Sequence, residues 1–153
     1  KGEPNFLKKG SPSLPHVNRS IIIPESQSAN INVLSKKSQR FNNYNILPSK
    51  GNIKRNVNIK EVEYEWFEVY NLDQKFPGNL VELHDPYILR DVRGQVIQFN
   101  PFQYNPIQKT LDVIHEIVVE IKFDGNNMVN ENRVTDTQRS FKHSFKIVAR
   151  LPL

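Results

Sequence analysis

The chain has 153 residues, the size of one domain rather than two, with 21 Lys and Arg against 16 Asp and Glu and a net charge of +5. Cysteine is absent, which excludes a disulfide framework, a Cys-based zinc site and a cysteine nucleophile. No apolar run approaches the roughly 18 residues of a membrane span, and the charge is too mild to demand nucleic acid.

Strand patterns dominate. In chain order, short strands are predicted at Ser20–Ile23, Asn30–Leu34, Tyr44–Leu47 and Leu80–Leu83. The polar, basic stretch Ser35–Asn43 is predicted as a loop or an edge strand. A longer strand is expected over Val62–Tyr70, with a bulge near Trp66 where the apolar phase slips by one residue. Tyr87–Leu89 and Gln95–Phe99 flank the segment Arg90–Gly94 and predict a hairpin or a bent strand. In that block the charges of Arg90, Asp91 and Arg93 are expected to pair within the sheet.

The clearest signal runs from Leu111 to Phe123. Leu111, Val113, Ile117, Val119, Ile121 and Phe123 alternate with Asp112, Ile114, Glu116, Val118, Glu120 and Lys122, and His115 falls on the apolar side. The exception to the strand pattern is the C-terminal end. Asp136 as cap, with Phe141, Phe145 and Val148 at i, i+4 and i+7, predicts a short helix. Pro, Gly, Asn and Asp punctuate the rest, as in Gly10-Ser11-Pro12, Pro48-Ser49-Lys50-Gly51 and Phe76-Pro77-Gly78. The sum is an all-β chain folded as an antiparallel sandwich.

The residues offer little catalytic chemistry. His16, His84, His115 and His143 are scattered, and none stands one helical turn from another His or from a catalytic Glu. The six glycines are spread singly, so there is no phosphate-binding loop, and no G-x-S-x-G elbow is present. Glu116 and Glu120 lie on the polar side of a strand and read as solvated. No catalytic residue, metal ligand or cofactor is assigned. A non-enzymatic β domain remains, and a free-standing adhesion or carbohydrate-binding module is one reading of it.

Four phrases give a second reading. They are Gly10-Ser11-Pro12-Ser13-Leu14-Pro15 with Arg19-Ser20; Pro48-Ser49-Lys50-Gly51; Tyr70 followed by Phe76-Pro77-Gly78; and Asp85 through Val96, continuing over Pro101–Pro106 to Leu111. With this order and spacing the chain resembles the N-terminal propeptide of gingipain-type cysteine peptidases, the C25 family, from about Gly10 to Phe145. The resemblance implies a jelly-roll-like β-sandwich. It implies a prodomain that keeps a following cysteine peptidase catalytic domain inactive and helps it fold. It also implies an exported bacterial precursor that passes through the periplasm to the cell surface or beyond, by type IX secretion. Residues 1–153 are then one propeptide domain lacking its first N-terminal strands, with a sheet edge open to self-association.

The resemblance also implies a site. In the Arg- and Lys-specific members, a basic residue after the Pro-Ser-Lys-Gly phrase enters the peptidase's S1 pocket. Here the loop is Asn52–Glu63, Arg55 matches that position, and Lys54 and Lys60 are its basic neighbours. Pro48, Gly51 and Tyr64 are its expected supports. Arg150 is the candidate processing site. Nucleic acid and membrane insertion are not expected.

Overall fold

A computed structural model describes residues 3–90, 92–124 and 144–151. In chain order its strands are β1 (Val17–Ile22), β2 (Ser28–Phe41), β3 (Val81–Leu83), β4 (Tyr87–Leu89), β5 (Val92–Phe99), β6 (Phe102–Asn105), β7 (Thr110–Asp124) and β8 (Ser144–Arg150). A 3-10 helix spans Glu68–Asn71. Among the described residues no helix is long and apolar enough to cross a membrane.

The strands form two antiparallel sheets, each built on one long central strand. β5 is flanked by β1 on one side and by β3 and β4 on the other. β7 is flanked by β2 on one side and by β6 and β8 on the other. Between the sheets lies the main core: Val17, Ile97 and Phe99 from the first, and Ile114, Ile117, Val119, Ile121 and Phe123 from β7. The β-branched residues of β7 alternate inward against Glu116, Glu120 and Lys122, which suits a half-buried pleated surface.

One irregularity divides the interior. The β2–β7 pairing passes from Lys37↔Glu116 directly to Ser38↔Ile114, leaving His115 without a partner. A bulge of this kind shifts the phase of the alternation. Ile114, expected on the polar side, is therefore 2% exposed in the main core, and His115 is only half-buried. Leu111 and Val113 turn instead to a second cluster with Leu14 and Tyr104, against which Phe6, Ile46, Tyr70 and Phe76 pack.

β2 continues through Ser38 to Phe41 as a paired edge strand, so Asn30–Leu34 is only part of it. Its exposed edge carries Lys36, Lys37 and Arg40, charges that oppose pairing with another strand. Tyr44–Leu47 and Val62–Tyr70 form no strand, contrary to the periodicity, and Glu68–Tyr70 belongs to the 3-10 helix. Val62–Phe67 has apolar residues in the right order but no neighbouring strand. Trp66 and Phe67 are 56% and 46% exposed. The expected C-terminal helix is also corrected. Phe145 and Val148 lie on β8, where Phe145, Ile147 and Ala149 face inward and Lys146, Val148 and Arg150 outward. Asp136 and Phe141 lie outside the described residues.

The Tyr87–Phe99 hairpin forms, closing at Leu89↔Val92 with Arg90 at φ 58. Arg93 is fully buried and donates to the carbonyls of Pro24 (2.7 Å) and Gln27 (2.8 Å), tying β5 to the β1–β2 connection. The role is structural, but these bonds reach the β1–β2 connection and not a charge within the sheet. Asp91 lies outside the described residues.

Candidate functional site

The loop Asn52–Glu63 leaves from a buried base. Pro48 and Ser49 are buried, and Ser49 N donates to Ser11 O (2.7 Å) while Gly10 N donates to Ser49 O (2.9 Å). Gly51 has φ +79, a conformation that an L side chain adopts only with strain. Its amide also donates to Ser49 Oγ (3.1 Å). Pro48 and Gly51 thus lie at the root of the loop.

Two turns shape the loop itself. Val57 N donates to Lys54 O (3.0 Å), which sets Arg55 and Asn56 at the tip of the first turn. Glu61 N donates to Asn58 O (3.0 Å), and Asn58 completes the second turn by accepting from Lys60 N (3.2 Å) and donating to Glu61 Oε1 (2.8 Å). Lys54, Arg55 and Lys60 are all exposed. Among the described residues none of the three side chains makes an ion pair or hydrogen bond.

The outgoing limb is fastened as well. Lys50 Nζ donates to Ile59 O (2.8 Å) and lies 4.3 Å from the centre of the Tyr64 ring. Tyr64 meets the root of the loop through this cation–π contact, where the sequence suggested a strand. Lys9 pairs with Glu65 (2.6 Å), and Phe67 N donates to Gly10 O (3.1 Å). Gly10 was visible as a turn residue. Its second purpose was not: a Cβ there would overlap the Phe67 ring. Beneath, Tyr70 donates its hydroxyl to Ile46 O (2.9 Å), and burial pushes that phenol above its ordinary range.

Arg150 belongs to β8 and not to this loop. It ends β8 opposite Glu116, its side chain 86% exposed and 3.8 Å from that carboxylate. Leu151, one residue on, is 7% exposed in the main core, and its amide donates to His115 O (3.0 Å). The Arg150–Leu151 bond therefore has an open side chain on one side and a hydrogen-bonded, buried residue on the other.

Of the described histidines, His16, His84 and His115, none belongs to the loop, and His143 lies outside the described residues. His16 lies under Phe6 with ring centroids 4.9 Å apart, and burial lowers its pKa, aided by His84. His84 sits 3.0 Å from Gln98 Oε1. Among the described residues no three His, Asp or Glu side chains gather as a metal site.

The fold is an antiparallel sandwich that presents an anchored basic loop, and its class, a prodomain rather than a catalytic unit, follows from the family it matches. The chain belongs to the C25 propeptide family: the family model Propeptide_C25 matches residues 1–145. It is 39% identical over 145 residues to gingipain R1 of Porphyromonas gingivalis, covering 93% of this chain and 14% of that protein. It is 44% identical over 117 residues to gingipain R2 of the same organism, covering 76% of this chain and 16% of that protein. The chain thus spans a small fraction of the relatives it matches.

Among solved structures, it is similar to the complex of the pro- and mature domains of Porphyromonas gingivalis RgpB. The TM-score is 0.80 at 41% identity, covering 86% of this chain and 69% of that one. A structure addressing the zymogenic latency of gingipain K shares the fold, with a TM-score of 0.66 at 21% identity over 79% of this chain and 70% of that one.

Proposed function

We propose that this propeptide holds an arginine-specific C25 cysteine peptidase latent by offering Arg55 to its S1 pocket, and that it assists folding of that catalytic domain. The observation that carries the reading is the exposed, unpaired Arg55 at the tip of a turn whose two limbs are both fastened. The relative at 41% identity, solved as a complex of pro- and mature domains, supports the choice of partner.

The chemistry follows from the guanidinium. A pocket that selects Arg ends in a carboxylate, which Arg meets with two parallel charge-assisted hydrogen bonds. Lys54 or Lys60 would meet it as a point charge with a poorer geometric match. A loop already ordered before docking loses little entropy on binding. The nucleophilic cysteine belongs to the partner. The Arg55–Asn56 bond is the one presented to it.

The rest of the reading follows the family. The precursor is exported from a bacterium, and residues 1–153 act as one inhibitory domain. Arg150 is its candidate processing site. The open edge of β2 is where a second copy would add, and its Lys36, Lys37 and Arg40 oppose that pairing.

The test is inhibition in trans of mature gingipain R2 by the purified chain. Arg55→Ala is expected to raise the inhibition constant about 100-fold, consistent with loss of a bidentate charged contact. Lys54→Ala and Lys60→Ala are expected to stay within about threefold of wild type. An Arg55→Ala variant as potent as wild type would overturn the assignment.

A further inference from the structure

We propose that the exposed ledge formed by Trp66, Phe67 and Leu72 is a second contact for the same catalytic domain. This rests on the reading above and adds to it. The three residues are 56%, 46% and 44% exposed and line an open depression of about 790 Å³ whose wall includes Phe76 and Pro77. Leu7, 63% exposed, lines the neighbouring depression with Tyr64. Large apolar side chains gathered in this way on a folded surface mark an interaction site.

The ledge is rigid without a partner. Phe67 is held to Gly10 through its amide (3.1 Å) and through a ring that leaves no room for a Cβ. Trp66 stands edge-to-face on Tyr70, with centroids 4.5 Å apart at 68°. A fixed aromatic ring offers contact area at little cost in ordering, which is why such residues anchor interfaces.

Its place selects the occupant. Tyr64 and Glu65 run directly from the loop into Trp66, and both are fastened, to Lys50 and Lys9 respectively. A catalytic domain that takes Arg55 from this loop meets the ledge on the same approach. One guanidinium in a pocket also falls far short of the total area of about 1,600 Å² that a stable protein complex buries. The ledge supplies part of the difference.

The experiment uses the full 153-residue chain and mature gingipain R2. Trp66→Ser/Leu72→Ser is expected to weaken inhibition at least 30-fold while thermal unfolding and sedimentation stay as in wild type. Leu72→Asp, which puts a charge on the ledge at a position 44% exposed, is expected to weaken it about tenfold and guards against a folding defect in the double variant. Added to Arg55→Ala, the losses are expected to multiply, as for separate contacts. Inhibition within threefold of wild type for both ledge variants would overturn the inference and leave the Arg55 reading intact. So would a wild-type dimer that the variants abolish with inhibition unchanged, since the ledge would then serve a second copy. A wild-type chain that fails to inhibit at all would overturn the Arg55 reading instead.

Discussion

The ammonium of Lys50 lies 4.3 Å above the Tyr64 ring and donates to the carbonyl of Ile59 (2.8 Å), so one side chain joins the root of the basic loop to its outgoing limb. Removing it should loosen the loop without unfolding the domain. In Lys50→Met we expect inhibition of the peptidase to weaken about tenfold, from an exposed cation–π contact and one hydrogen bond worth together about 1–2 kcal/mol. The melting temperature should move by no more than a few degrees. Titration of the peptidase alongside calorimetry checks both, and equal potency would deny Lys50 its positioning role.

Gly10 joins a positive φ of 74 to a ring packed where a Cβ would be. Gly10→Ala should therefore cost about 2 kcal/mol, from left-handed strain and displacement of Phe67. For a chain of this size that is a fall of about 4–8 °C in melting temperature. Because Phe67 belongs to the ledge, we expect weaker inhibition to accompany it.

Asp112 is buried on β7 between Arg40 (2.6 Å) and Lys75 (2.5 Å). The hydrogen bond from Arg40, aided by Lys75 and opposed by burial, holds its carboxyl down at about 2. A carboxylate depressed in the folded state adds stability that is present above its unfolded pKa. That stability is lost as pH falls through the folded value. The loss should fall between roughly pH 4 and pH 2 and amount to about 2 kcal/mol. Denaturant melts of the wild type and Asp112→Asn should differ at pH 7 and converge near pH 2. A constant difference across that range would show that the carboxylate's charge is not the stabilising feature.

Arg55 and Arg150 both expose their side chains, but their backbones differ. Arg55 lies in a turn with a single hydrogen bond across it. Arg150 lies on a strand paired to β7, followed by the buried Leu151. A protease needs several residues of unpaired, extended chain. In brief trypsin digestion we therefore expect the Arg55–Asn56 bond to be cut well before Arg150–Leu151. Leu151→Ala, which empties a core position at a cost of about 2–4 kcal/mol, should accelerate the second cut. Mass spectrometry of the early fragments gives the order.

Much of the scaffold was legible because period-two patterning carries its own physics. β7 announced itself through alternating β-branched residues, and the β4–β5 hairpin through two apolar runs about a short charged segment. The helix expected after Asp136 failed on its described part, because Phe145 and Val148 fit a helical spacing while Phe145, Ile147 and Ala149 fit a strand. The neighbouring β7 decided between them by supplying hydrogen bonds from Glu116 to Lys122. Val62–Phe67 shows the converse: its pattern suits a strand, but no partner strand stands beside it.

By itself the sequence determined the all-β class and the family, because alternation, turn residues and ordered phrases are properties of neighbours in the chain. Only the tertiary structure decided which side of His115 faces the core, since a bulge depends on how β2 registers against β7. The same holds for the loop. That Lys50 reaches Tyr64, and that Gly10 must make room for Phe67, are contacts between segments far apart in sequence, set by packing rather than by local preference.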